Sequence, residues 1–232
     1  MTASIVRSYP QIKVDTDMIL RGQGADPAII RARRPQLVAI AEQAQVEGAQ
    51  LIEPVVLYRT LPVEKISHEL ITLAGNLKLS GSLLVEQLGC AQQIALLVCT
   101  LGGKLEKRVS ELMSENPVYA FALDGFGSAA TEALGLAICA ELEADASSSG
   151  LHTSVPLNPG MVGWSVEDGQ PQIFSALEPA QIGITLNQGA QMSPRKSVSM
   201  VLGFSSTPFY AGRPCDFCSL NETCRYQNSG NH

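Results

Sequence analysis

Residues 156–202 carry the part of the sequence that decides the fold. They read Pro-Leu-Asn-Pro-Gly-Met-Val-Gly-Trp over 156–164, Gln-Ile-Phe-Ser-Ala-Leu over 172–177, Ile-Gly-Ile-Thr-Leu over 182–186 and Met-Ser-Pro-Arg-Lys-Ser-Val-Ser-Met-Val-Leu over 192–202. The pattern predicts a short helix in the second piece and strands in the last two. Loops rich in proline and glycine join these pieces, and the first loop holds the only tryptophan.

The segments before this stretch add further strands and helices in an irregular order. Residues 94–100 are the most apolar strand candidate, and residues 71–73 and 77–79 flank Gly75-Asn76, a hairpin signal. Strict alternation of strand and helix is absent, which favours a mostly antiparallel or mixed sheet over a parallel one. We therefore predict an α+β fold.

One long helix is predicted from residue 116 to about residue 146. Asn116 is a capping residue, Pro117 suits the first helical position, and the segment is unusually rich in alanine and glycine. Small and polar residues recur on one face: Asp124, Gly127, Ser128, Thr131 and Gly135, with Glu132 beside them. This stripe indicates either a solvent-facing or closely packed helix, or the edge of a ligand site with two carboxylate acceptors.

The loop over 151–171 is long for a compact domain, and such loops are usually functional or disordered. Gly160 lets the backbone come close to a ligand, and Trp164 offers a flat apolar face with one donor. Alternatively, Trp164 fills the core and the loop is only a connection. Arg195 and Lys196 precede a strand, where they could meet a carboxylate or phosphate or form a solvated basic pair.

The composition argues against several functional classes. The chain has 232 residues, a net charge of −6 and a pI near 5.1, so nothing favours binding to nucleic acid or to an anionic membrane surface. No apolar run reaches the roughly 18–20 residues that span a bilayer, and the first residues lack the apolar region of a signal peptide. We expect a cytoplasmic protein.

A cysteine-rich tail over 211–232 follows a single domain over 1–210. Cys215 and Cys218 form a Cys-x₂-Cys pair, which lets two thiolates converge on one ion, and Cys224 supplies a third. Three thiolates suit a zinc ion or an iron–sulfur cluster.

The fourth ligand of such a site stays open at the level of sequence. Cys90 and Cys99 are candidates, as are a histidine, a partner or an exogenous ligand. A redox or free-thiol tail is the alternative to metal binding. A permanent disulfide is disfavoured by the odd count and the cytosolic setting.

The pieces of residues 156–202, in their order and spacing, resemble the activation domain of cobalamin-dependent methionine synthase. The similar segments are Asn158-Pro-Gly-Met161, 172–177, 182–186, 192–199, Thr100-Leu-Gly102 and 124–132. The resemblance covers most of the chain and identifies a free-standing, divergent relative. It implies a single C-shaped α+β domain with a central, mainly antiparallel twisted sheet flanked by helices.

The resemblance also implies S-adenosylmethionine binding, with the methyl group passing to cobalamin after its oxidation and one-electron reduction. It points to a ligand cleft lined by these residues: Asp124, Glu132, Asn158, Gly160, Met161, Trp164, Arg195 and Lys196. The family usually has an arginine four residues before the loop glycine and an aromatic residue just after it. Pro156 and Met161 occupy those positions here, so an S-adenosylmethionine site would be built differently.

The implied function is an accessory one. The chain lacks the Asp-x-His-x-x-Gly cobalamin motif, so cobalamin would be met only through a partner, a corrinoid-dependent methyltransferase or corrinoid protein. The chain would then reactivate this partner in trans by S-adenosylmethionine-dependent reductive methylation of cobalt. An iron–sulfur electron-transfer reactivase and a non-catalytic docking module are the alternatives.

Overall fold

The computed structural model describes residues 3–9, 11–222 and 224. Its helices are α1 (Thr16–Gly22), α2 (Pro27–Arg33), α3 (Pro35–Leu51), α4 (Ser82–Leu88), α5 (Lys104–Leu112), α6 (Pro117–Ser148) and α7 (Val166–Ala176). Its strands are β1 (Ile5–Ser8), β2 (Val55–Ser67), β3 (Leu70–Leu73), β4 (Leu77–Ser80), β5 (Gln93–Thr100), β6 (His152–Thr153), β7 (Thr185–Leu186), β8 (Met192–Ser193) and β9 (Ser197–Ser205). Short 3-10 helices cover Pro179–Ile182 and Pro214–Phe217.

A seven-stranded sheet forms the centre of the molecule. Its order is β4-β3-β2-β5-β9-β6, and β1 pairs with the first half of β2. The pairings are antiparallel, and the sheet curls into a half-barrel. The predicted C-shaped α+β fold with a mainly antiparallel sheet is therefore confirmed.

The sheet separates two hydrophobic cores. Along β5, Ala95, Leu97 and Cys99 enter the core beneath α1, α3, α5 and α6. The alternate residues of β5 enter the second core, with α4, α7 and the β3–β4 hairpin. Successive side chains of a strand point to opposite faces, so a strand buried on both faces reads as an unbroken apolar run. This explains why residues 94–100 were recognisable as a strand.

Helix α6 confirms the predicted long helix and spans 32 residues. Asn116 caps it by accepting a hydrogen bond from the backbone N–H of Tyr119. Its glycines allow neighbouring helices to pack closely, because a Cβ on Gly125 would lie 2.9 Å from the carbonyl oxygen of Ile19 in α1. Within the part of the chain that the structure describes, no helix is long and apolar enough to cross a membrane.

Two local predictions within residues 156–202 were wrong. Helix α7 begins at Val166 rather than at residue 172, because Ser165 caps it by accepting from the N–H of Asp168. The strand predicted over 182–186 shortens to two residues, since Gly183 adopts a left-handed φ of 76° that ends a 3-10 helix there. Each error reflects a local capping or turn signal that outweighed the apolar pattern.

Candidate functional site

A cavity of about 770 Å³ lies between α6 and β9. Four segments line it: one face of α6, the loop that follows β6, the residues entering β9, and the start of the tail. The lining residues are Ser128, Thr131, Glu132, Gly135, Leu136, Cys139, Pro156, Asn158, Arg195, Lys196, Ser197, Val198, Met200, Arg213, Pro214 and Cys215. The cavity thus joins residues that lie far apart in the sequence.

The small residues of α6 determine how closely β9 approaches the helix. A Cβ on Gly127 would lie 2.9 Å from the Cε of Lys196, and one on Gly135 would lie 2.9 Å from the Cε of Met200. The hydroxyl of Thr131 donates to the carbonyl of its own helix at Gly127, 2.8 Å away. The stripe predicted from the sequence is therefore closely packed at its glycines and lines a cavity at its polar positions.

Lys196 and Asp124 form an ion pair beside the cavity. The Nζ of Lys196 lies 2.8 Å from Oδ1 of Asp124 and donates to the hydroxyl of Ser128 at 2.9 Å. Only 15% of the Lys196 side chain is exposed, so this cation is largely withdrawn from solvent and committed to α6. Arg195 differs, because its side chain is 86% exposed and its guanidinium lies 3.6 Å from Glu106.

Glu132 is the anionic group of the cavity. Burial under neighbouring protein atoms raises the pKa of its carboxyl group, and Arg21 partly opposes this shift. Among the described residues, none forms a hydrogen bond or ion pair with Glu132. The carboxylate is thus available to a cationic group bound in the cavity.

One part of the lining is apolar and carries two sulfur atoms. The Sγ of Cys139 lies 3.4 Å from the Sδ of Met200, with Leu136 and Val198 nearby in the lining. Burial, and next the charge of Glu143, raise the pKa of Cys139 to about 11, so its thiol is neutral at physiological pH. Cys139 was not among the site residues predicted from the sequence. It follows Gly135 by four residues, so extending the helical stripe one turn would have found it.

The loop between β6 and α7 divides its residues between two sides of the sheet. Asn158 lines the cavity, and its Nδ2 donates to the carbonyl of Ser199 in β9 at 2.9 Å. Leu157 extends the sheet by bridging Val201.

Gly160, Met161 and Trp164 lie outside this cavity. Trp164 is 2% exposed and belongs to the second core, where burying a large ring is favourable. Met161 and Trp164 line a separate cavity of about 480 Å³, and Gly160 donates its N–H to the carbonyl of Trp164. The structure therefore brings together Glu132, Asn158, Arg195 and Lys196, but places the loop's aromatic residue elsewhere.

The tail contributes a further wall. Arg213, Pro214 and Cys215 line the cavity. Burial raises the pKa of Cys215, and the nearby thiols of Cys218 and Cys224 raise it further.

No metal site is formed in this conformation by the residues that the structure describes. Within 3–9, 11–222 and 224, no three side chains of His, Cys, Asp or Glu are placed as ligands of one ion. Cys90, one candidate for the fourth ligand, is exposed after α4 and is not among the groups that shift the pKa of Cys215. The last predicted tail residues, 225–232, lie outside the described part.

No protein-family model matches the sequence, and no curated protein matches it either. Among the solved structures, 13 chains are similar. One is the crystal structure of the MetH reactivation domain bound to AdoHcy, with a TM-score of 0.65 and 11% sequence identity. The alignment covers 90% of this chain and 81% of that chain. At this identity the likeness concerns the fold alone, and this chain has the fold of the MetH reactivation domain.

Proposed function

We propose that this protein reactivates a corrinoid-dependent methyltransferase in trans by binding S-adenosylmethionine in the cavity between α6 and β9. The observation that carries the proposal is a ligand-sized cavity whose carboxylate has no hydrogen bond or ion pair among the described residues, in a fold of which one solved example was crystallised with AdoHcy. A volume of about 770 Å³ falls within the range of pockets that hold small ligands.

The chemistry of the lining matches the chemistry of S-adenosylmethionine. The adenine and ribose would lie against the apolar wall that includes Leu136, Val198 and Met200. The sulfonium and ammonium groups are both cationic, and Glu132 is the anion within the cavity. The exposed guanidinium of Arg195, which lines the cavity, would meet the ligand's carboxylate.

In this proposal the protein acts by positioning. The methyl group would pass from sulfur to reduced cobalt held by the partner, and the cobalt would supply the electron pair of the new cobalt–carbon bond. The sulfur–carbon bond breaks, and its electron pair stays on sulfur to give AdoHcy. An external reductant supplies the electron that reduces the cobalt. The cavity residues hold the donor in a fixed orientation, which lowers the entropic part of the barrier.

Calorimetric titration of the full chain with S-adenosylmethionine and with AdoHcy tests the proposal. We expect both to bind, and we expect Glu132→Gln to weaken S-adenosylmethionine binding about tenfold, the loss of one charge-assisted hydrogen bond. AdoHcy lacks the sulfonium charge, so its affinity should fall less. Asp145→Asn on the exposed face of the same helix serves as the control and should change neither.

A second titration with S-adenosylmethionine is carried out with a corrinoid protein present. Absence of S-adenosylmethionine binding in both arms would overturn the proposal. A stable complex with the corrinoid protein but no ligand binding would instead identify a docking module.

A further inference from the structure

The tail is held against the domain by its aromatic residue. The carbonyl of Phe217 accepts a hydrogen bond from the N–H of Val162 at 2.9 Å, and its ring packs against the second core. Residues 213–215 consequently form a fixed wall of the cavity. The tail therefore has a defined place beside the proposed ligand site.

Successive turns order the short segment that carries the tail's thiols. The N–H of Cys218 donates to the carbonyl of Cys215 at 3.1 Å, and the N–H of Cys224 donates to the carbonyl of Leu220 at 2.8 Å. The N–H of Leu220 also points at the Sγ of Cys218, 3.5 Å away. Backbone N–H groups directed at cysteine sulfur stabilise a thiolate ligand, and they tune the metal that it binds.

A capping pair also holds the first turn, because the N–H of Arg213 donates to the carboxylate of Asp216 at 2.8 Å. No residue of the 3-10 helix at Pro214–Phe217 is fully buried. The cysteines of the described chain are free thiols, so no disulfide fixes the segment. The three thiols lie within residues 215–224, and Cys215 lines the cavity.

We propose that Cys215, Cys218 and Cys224 bind one soft metal centre, a zinc ion or an iron–sulfur cluster, through three thiolates. The fourth position is then filled from outside the tail. Each thiol loses its proton to solvent as its metal–sulfur bond forms, so three protons leave per centre. Ligands are rarely preset before metal binding, and the metal would draw these thiols together within a short segment. This proposal rests on the tail and stands apart from the proposed function.

Anaerobic titration of the reduced, metal-free full chain with Co²⁺ tests the proposal. We expect one ion per chain, a sulfur-to-cobalt charge-transfer band, and the strong visible bands of tetrahedral cobalt. Cys215→Ser, Cys218→Ser and Cys224→Ser should each weaken binding at least tenfold and reduce the band. Ser219→Ala is the matched control, because Ser219 is an exposed residue of the same tail without a thiol, and it should leave the titration unchanged.

Analysis of iron, sulfide and zinc in anaerobically purified protein distinguishes the two centres. Stoichiometric zinc without iron identifies the single ion, and iron with acid-labile sulfide identifies the cluster. The proposal is overturned if no charge-transfer band appears, or if the three tail variants bind cobalt as tightly as the wild type does. The cobalt spectrum does not depend on S-adenosylmethionine. A failure of the metal proposal can therefore be told apart from a failure of the proposed function.

Discussion

Gly125 and Gly135 of α6 differ in the atoms that a substituted side chain would contact at each position. A Cβ on Gly125 would lie 2.6 Å from Gln23 and 2.9 Å from the backbone oxygen of Ile19. A Cβ on Gly135 would meet only the flexible end of Met200 at 2.9 Å and Val198 at 3.7 Å. The first position cannot accept a methyl group without movement of the backbone, whereas the second can.

We expect Gly125→Ala to lower the free energy of unfolding by about 1–3 kcal/mol, the usual result of overpacking. Gly135→Ala, with the same chemical change in the same helix, should be neutral or stabilising by up to about 1 kcal/mol, because alanine favours helix. Urea denaturation followed by circular dichroism measures both. Equal losses for the two variants would contradict this account of the contact between α1 and α6.

Glu132 should make the stability of the protein depend on pH. Its pKa is raised in the folded protein, so the folded state binds the proton more tightly than the unfolded state. The stability that protonated Glu132 contributes is therefore complete below the pKa of Glu132 in the unfolded chain. It is lost as the pH rises through the higher pKa of Glu132 in the folded protein. Glu132→Gln should raise Tm at pH 7 by about 1–2 °C, since partial exposure screens the charge, and should change nothing near pH 3.5. Scanning calorimetry at both pH values measures this, and an equal rise at both would contradict it.

At the scale of elements, one hydrogen-bonded network joins α3, α5 and α6. The carboxylate of Glu47 accepts from Tyr119 at 2.6 Å and from Arg108 at 2.8 Å. These two bonds, Tyr119 first, lower the pKa of Glu47, and the pKa of Tyr119 rises to about 12 through burial and this same carboxylate. The network holds three helices over one face of the sheet.

We expect Glu47→Gln to cost about 1 kcal/mol at pH 7, or about 2–4 °C in Tm. Because the folded pKa of Glu47 is lowered, its contribution is present above the unfolded pKa and is lost as the pH falls through the lowered value. The difference between wild type and variant should therefore shrink below about pH 4. Glu53→Gln is the control, because its pair with Lys104 is mostly exposed. A loss for Glu53→Gln as large as that for Glu47→Gln would contradict the network's role.

Elements with strong local signals could be predicted from the sequence. The cap and proline at residues 116 and 117 mark the start of α6, and the apolar run of β5 follows from its burial on both faces. The loop after β6 was harder, because an irregular segment has no periodicity to show which side of the sheet each residue faces. Asn158 and Trp164, six residues apart, consequently line different cavities.

For the whole molecule, the order of the segments indicated the fold even though identity to the solved neighbour is only 11%. The candidate site could be predicted only in part. Glu132 was predicted from its place beside a stripe of small and polar residues, and Arg195 and Lys196 from their position just before a strand. Apolar lining residues such as Met200 cannot be told from ordinary core residues in a sequence. Only the packing of α6 on β9 shows that they line a cavity.

The division into a domain over 1–210 and a tail over 211–232 gives a whole-molecule prediction. Deleting residues 211–232 should leave a cooperatively folded protein, because both cores draw almost all of their residues from the domain. Tm should fall by about 2–6 °C, since Phe217 is lost from the second core. Loss of cooperative thermal unfolding would show that the tail belongs to the domain. A point variant, Phe217→Ala in the full chain, should reproduce most of the fall.

The pairing of β5 with β9 has a consequence for how the chain folds. Thr100 lies opposite Ser197, so the middle of the sheet joins positions about 100 residues apart, with α6 formed between them. Contacts this distant in sequence slow folding, because the loop must close before any stabilisation is gained. On the ribosome, α6 can form early, while the sheet stays incomplete until residue 205 has emerged from the exit tunnel. We expect nascent chains ending near residue 190 to be protease-sensitive, and protection to arise abruptly once β9 is free.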